Sequence, residues 1–404
     1  MIDEIKEEDI PVVGKTGLQK EDEPTENLKP FDPKSIKISQ KVISLDQIIT
    51  RMKNGTIRLS PDFQRNEVWN DTQKSLLVES LLLNIPIPMF YVSADEDGIW
   101  DVVDGLQRLS TLRDFIIKKT LRLKNLEFWV DYNGKTYDDL SPILFNRINE
   151  TQLYITIIEP SSPQDVKFNI FKRINTGGVS LSSQEIRHAL YQGKGTVLLK
   201  ELSESESFLH ATDYSINDKR MSAREVILRC LSFLLLGSKG YYSNDNMDSF
   251  LNRGIQVLNN LDKKEELIKK NVYFKDNIPQ FYIDSYEKLK VFFNLSMDRN
   301  TKLFGYNAFR LSRQGANRTP INKGLFEILG VEFAKITDND FKKILQKKDI
   351  FFERYEALKL EEKFYNAISR NSWQKNNVEY RFNAISKLIK GCLYDSSEFE
   401  TIEL

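Results

Sequence analysis

The chain has 404 residues, 40% of them hydrophobic and 29% charged, with 58 basic side chains against 58 acidic ones. That composition fits a globular protein long enough for two or three domains with their own cores, and no run approaches the roughly 18 apolar residues of a membrane span. Met1-Ile2-Asp3-Glu4 lacks the basic-then-apolar layout of a secretion signal, and Cys230 and Cys392 have no metal or redox spacing, so a cytoplasmic location is expected.

Residues 1–30 hold nine acidic and four basic side chains and few large apolar groups. Residues 1–40 therefore read as an acidic, poorly ordered tail. Without residues 1–30 the body carries 54 basic against 49 acidic residues, which permits a nucleic-acid patch without demanding one. From Ser44 the pattern becomes regular. Ser44 caps a helix carrying Leu45, Ile48, Ile49 and Met52, which Gly55 closes. Ile57–Leu59 reads as a short strand before Pro61-Asp62-Phe63-Gln64-Arg65. Asp71 caps an apolar helix through Leu76, Leu77, Leu81 and Leu83, broken by Pro86 and Pro88.

Met89–Val92 and Trp100–Val103 are expected strands, joined by a turn at 95–98. Asp104-Gly105-Leu106-Gln107-Arg108 opens a helix with Leu109, Leu112, Phe115 and Ile116 on one face. Glu127–Tyr132 and Lys135–Tyr137 flank Asn133-Gly134 as a hairpin, and Gln152–Ile158 adds one more strand. After about residue 160 only helices follow, near 163–175, 182–192, 220–236, 246–260, 283–297, 322–335, 338–358 and 376–390. The expected fold is α+β, a small mixed-sheet domain over 41–195 followed by a large all-helical region over 196–404.

Two arginine-bearing motifs, at 61–65 and 104–108, each fall where a strand gives way to a helix. Such a junction presents backbone N–H groups, and a nearby guanidinium adds a planar cationic fork, so together they suggest one anion pocket. Gly105 lets a ligand approach the backbone, while Gln107 and Arg108 fall in the first helical turn. The structural alternative makes Asp104 a helix cap and Arg108 a solvated charge. Gln64 and Arg65 suit phosphate or base-edge contacts, whereas Phe63 and Trp69 are better explained as core.

The order of these blocks resembles the GmrSD N-terminal domain family of the ParB/sulfiredoxin-like superfamily. The resemblance rests on Pro61-x-Phe63-Gln64-Arg65-x-x-x-Trp69, the passage from Glu79 to Pro88, the turn 104–108, and Phe171–Gly178 with Leu181, Gln184, Glu185 and Arg187. It implies a nucleotide-binding, often nucleotide-hydrolysing module in bacterial systems that restrict modified or foreign DNA. The family's usual turn is Asp-Gly-Gln-Gln-Arg, and this chain has Leu106 in place of the first glutamine. That departure bears on turnover more than on binding.

Arg173 and Asn175 are candidates for closing over the ligand. Gly177 and Gly178 are explained either as a phosphate nest or as a helix stop, with Ser182 or Ser183 capping the next helix, and Glu185 and Arg187 read as helix-surface or ion-pair residues. Between Thr301 and Phe326 lie Lys302, Arg310, Arg313, Arg318 and Lys323 with no acidic residue, interleaved with Phe304, Tyr306 and Phe309. That pattern fits a nucleic-acid surface, or an ordinary solvated charge run. Arg381 is a weaker candidate for a pocket. Many relatives carry a C-terminal His-Asn-His nuclease, but this chain's two histidines, His188 and His210, exclude one in its last 194 residues. No phosphate loop of the Gly-x-x-x-x-Gly-Lys-Ser/Thr type and no paired Cys/His cluster is present.

The leading expectation is a nucleotide-binding, NTP-hydrolysing component of a DNA-targeting antiviral defence system. In it Arg65, Arg108 and Arg173 neutralise polyphosphate, Gln64 and Gln107 orient the ligand or a water, and Asp104 holds Mg²⁺ or polarises that water. DNA, a separate nuclease subunit and a second copy of the chain are the expected partners. A non-enzymatic sensor of modified DNA using the same pocket is the alternative, and cleavage through carboxylates near Asp101 and Asp104 is a third.

Overall fold

The computed structural model describes residues 17–19, 35–59, 69–174, 181–242, 246–263, 285–312 and 317–394. Described residues within Pro30–Leu190 form one compact unit, and those within Met1–Lys29 and Tyr191–Leu404 form another. The class is α+β, as expected.

The first unit is built on a five-stranded mixed sheet in the order β1-β5-β3-β4-β2. Its strands are β1 (Ile38–Ser44), β2 (Ile57–Arg58), β3 (Phe90–Ala94), β4 (Trp100–Asp104) and β5 (Gln152–Ile158). β3 runs antiparallel to β4 and parallel to β5, β1 is antiparallel to β5, and β2 is parallel to β4. β1 begins inside the expected tail. It pairs along its whole length, from Ile38 opposite Ile158 to Ser44 opposite Gln152. As an edge strand with Ile38 and Val42 exposed, it lacks the apolar-in, polar-out alternation that marks a half-buried strand.

Helices α1 (Leu45–Lys53), α2 (Asp71–Leu82), α3 (Leu106–Leu112) and α4 (Pro142–Glu150) follow the strands, and α5 (Gln164–Ile174) and α6 (Ser183–Leu190) complete the unit. Ser44 stands at the cap position of α1. The cap of α2 is Asn70 rather than Asp71, because Asn70 and Gln73 exchange side-chain and backbone hydrogen bonds in a capping box. Phe168 and Phe171 of α5 and Ile186 of α6 pack with Val103 of β4 and Ile158 of β5 in one apolar cluster.

The hairpin expected around Asn133-Gly134 does not form. Those residues do turn, with Gly134 at φ +83°, but the flanks are single 3-10 turns at Val130–Tyr132 and Tyr137–Asp139. The cause is a carboxylate. Glu79, buried in α2, accepts the backbone N–H groups of Glu127, Phe128 and Trp129 at 3.0, 2.8 and 2.8 Å. These are donors a strand pairing would have needed. Burial pushes the Glu79 carboxyl up, but the three N–H donors more than offset this and hold it below its usual range.

In the second unit the helix Ser222–Leu236 is buried along nearly its whole length, next to Met247–Asn259 and Lys323–Lys335. The expected helix 338–358 is two, Asp338–Gln346 and Lys348–Leu360. Lys194–Ser203, Glu206–Ala211 and Glu362–Ser369 are further helices that the pattern did not single out. Three residues of the expected solvated tail are docked here. Leu18 is buried, Gln19 N–H donates to the Ile321 carbonyl at 2.9 Å, and Asn322 Nδ2 donates to Gln19 Oε1 at 2.8 Å. At the centre, Glu327 is fully buried between Arg229 and Arg381, the latter at 2.6 Å. No described helix is long and apolar enough to cross a membrane.

Candidate functional site

Strand β4 delivers Asp104 to the sheet's end, and the chain turns at once into α3. Gly105 makes this turn possible for two reasons. Its φ is +94°, and a Cβ there would lie 2.3 Å from Phe90 Cδ1, so no L side chain fits. The next residue, Leu106, points into the core and is 5% exposed. The position where the resembling family carries an extra glutamine is thus filled here by an apolar side chain that packs inward.

Arg108 closes the turn. Its guanidinium lies over the Phe90 ring at 4.5 Å and donates to Asp104 Oδ2 at 2.9 Å, to the Met89 carbonyl at 3.3 Å and to the Pro88 carbonyl. Its side chain is 11% exposed, whereas that of Asp104 is 40% exposed. Burial pulls the Arg108 pKa down and the Asp104 charge opposes that, so the ion pair keeps a desolvated cation in place. Arg108 is therefore not the solvated charge of the structural alternative. It clamps the Pro86–Met89 passage to the turn, uniting two of the blocks that sequence had placed apart.

Gln64 and Arg65 lie outside the described residues, as do Asn175, Gly177, Gly178 and Arg313. The ends of the first motif's segment are described, and both reach the turn's surroundings. β2 pairs with β4 through Arg58 opposite Asp101, and Trp69 N–H donates to Gln107 Oε1 at 3.4 Å. Arg173 is exposed in the last turn of α5, two residues beyond Phe171, which packs on the residue preceding Asp104. Residues 45–192 match the family described as GmrSD restriction endonuclease, N-terminal domain. No curated protein matches the chain.

Within the matched residues, Ser182 caps α6 and exchanges hydrogen bonds with Glu185 at 2.6 and 3.1 Å. Glu185 and Arg187 are buried rather than on the helix surface, and Arg187 donates to Gln184 Oε1 at 2.7 Å. From sequence Asp101 stands out only as a nuclease carboxylate. It lies 3.5 Å from Arg58, and one of its oxygens is buried with no hydrogen-bond partner. Burial pushes its carboxyl up to about 6, with Asp95 adding to the rise and Arg58 and Lys167 opposing it. Lys167 is itself 3% exposed, and burial lowers its pKa against the pull of Asp101, Asp95 and Glu159. Among the described residues no group of three or more His, Cys, Asp or Glu is arranged to hold a metal.

Among the described basic residues of 301–326, one is buried and two are held in ion pairs. Arg310 is buried and donates to Ser215 Oγ at 2.8 Å and to the Tyr306 carbonyl at 3.2 Å. Arg318 pairs with Asp213, and Lys323 with Glu225 at 2.9 Å. Phe304 and Phe309 are core residues, while Lys302 and Tyr306 are exposed. Arg381, a weak pocket candidate, is wholly buried against Glu327 and the Ala367 carbonyl. His188 is buried in α6, and His210 Nε2 lies 3.2 Å from Glu206.

Proposed function

We propose that this protein is a nucleotide-binding, NTP-hydrolysing component of a DNA-targeting restriction system, with the Asp104–Arg108 turn at its ligand site. The observation that carries the reading is a half-exposed carboxylate, Asp104, fixed by a desolvated arginine on a Gly105 turn inside a GmrSD N-terminal domain. Asp104 is the group that would meet Mg²⁺ or polarise a water. One carboxylate suffices for Mg²⁺, which keeps most of its waters and takes further oxygens from phosphates. Arg108 sets the position of Asp104. Gln107 and Gln64 are assigned to orienting the ligand, and Arg65, Arg173 and Asn175 to contacting polyphosphate.

Thermal shift against a panel of nucleoside triphosphates with Mg²⁺ tests this, since a ligand that binds the folded state stabilises it by mass action. Wild type is expected to gain several degrees with at least one of them, and Asp104→Asn to lose the gain. A flat panel sinks the proposal.

The non-enzymatic sensor of modified DNA draws support from one feature. Arg108 spends its donors on Asp104 and two carbonyls, so fewer remain for charge that develops during phosphoryl transfer. Phosphate release with and without DNA separates the two readings, and none under either condition favours the sensor.

A further inference from the structure

Helix α3 does not stop at Leu112. It widens into a single π turn, Arg113–Ile117, closed by Lys118 N–H donating to the Arg113 carbonyl at 2.9 Å. Such turns are rare and concentrate at functional sites. A bond spanning five residues sets Arg113 and Lys118 one above the other, with Ile117 beside them. All three line a cleft of about 450 Å³ whose other walls include Lys53, Ile57 and Leu59. That volume lies within the range of small-ligand sites, about 300–1,000 Å³.

The charge around this cleft is unbalanced. Asp114 pairs with Arg113 at 3.1 Å, with Lys118 at 3.7 Å and with Lys74 at 3.0 Å, so three cations share one carboxylate. Lys53 adds a fourth positive charge at an exposed rim. Among the described residues the cleft lining holds three cations, Lys53, Arg113 and Lys118, beside the one carboxylate of Asp114, an excess that outweighs the roughly half negative charge of a helix's carbonyl end. The rest of the lining, by contrast, is apolar: Met52, Ile57, Leu59 and Ile117.

We infer that this cleft is a phosphate site for a nucleic-acid strand, separate from the Asp104–Arg108 turn. Lys53, Arg113 and Lys118 take strand phosphates, and the apolar lining meets the adjoining sugar or base. The inference rests on the DNA-targeting reading above but uses none of the residues assigned to the nucleotide.

Fluorescence anisotropy of a short labelled DNA duplex, titrated with full-length protein at several salt concentrations, tests it. Lys53→Glu/Lys118→Glu should weaken binding at least about tenfold and make the log–log salt slope shallower by about two, one for each lost phosphate contact. Lys53→Gln/Lys118→Gln, which removes charge without reversing it, should lie between. Nucleotide-induced thermal shift should be unaffected in both variants. Unchanged DNA affinity and slope overturn the inference. So does a wild type that binds no DNA while inorganic phosphate or free nucleotide stabilises it in a way the double variant abolishes. If DNA binding falls as stated yet no nucleotide stabilises wild type, the cleft stands and the nucleotide reading fails.

Discussion

Both units bury arginine, and they do so differently. In the helical unit Arg229 and Arg381 flank Glu327, and all three side chains are within 3% of complete burial. Arg381 also holds the carbonyl of Ala367 at 2.9 Å, so the cluster is turned inward. In the sheet unit Arg108 is nearly as enclosed, but its partner Asp104 is 40% exposed. The first arrangement serves packing alone. The second holds one oxygen-bearing group at the surface in a fixed orientation, which is what a ligand site requires.

The largest effect should come from the closed cluster. Glu327→Ala leaves two guanidiniums buried without their carboxylate, and breaking such a network costs about 3–5 kcal/mol. Urea unfolding should show that loss. A change under about 1 kcal/mol would mean that water or relaxed backbone carbonyls compensate.

A pH-dependent effect comes next, in the sheet unit. The folded pKa of Asp101 is raised from 3.8 to about 6, so the folded state holds its proton more tightly than the unfolded chain does. Its carboxyl therefore makes stability fall as pH rises between those values, by up to about 3 kcal/mol. Asp101→Asn should remove this decline, so the variant gains on wild type between pH 4 and 7. Parallel stability profiles for the two proteins would refute the assignment.

The smallest of the three effects belongs to the turn. Gly105→Ala meets the Phe90 ring and a strained φ, at a cost of about 1–3 kcal/mol. It should also displace Asp104, so nucleotide stabilisation should vanish even where the variant remains folded. Retained stabilisation at full amplitude would separate the site from the turn.

Much of the sheet unit was legible because apolar alternation and proline breaks mark strand and helix boundaries directly. Trp100–Val103, Gln152–Ile158 and the helix after Asp104 all lie where the pattern placed them. What failed was tertiary. Nothing local tells that Glu79 will claim the N–H groups of residues 127–129, although an acid among Leu76, Leu77, Val78, Leu81 and Leu82 was a usable signal. Likewise, the positive charges of Arg310 and Arg381 are plain in sequence, but some of the groups that absorb them, Thr212 and Ser215 for Arg310 and Glu327 for Arg381, lie dozens of residues away in the chain. Leu106 is the converse. Read as a lost polar contact, it is a side chain filling space behind the turn.

The bond between Arg108 and Asp104 also has a consequence for switching. A cation that claims Asp104 Oδ2 competes with Arg108 for that oxygen, and Arg108 is what tethers the Pro88 and Met89 carbonyls. Occupancy at the carboxylate is thereby linked to the slack in a proline-stiffened strap, a one-residue lever through which binding would register as movement at the rim of the sheet.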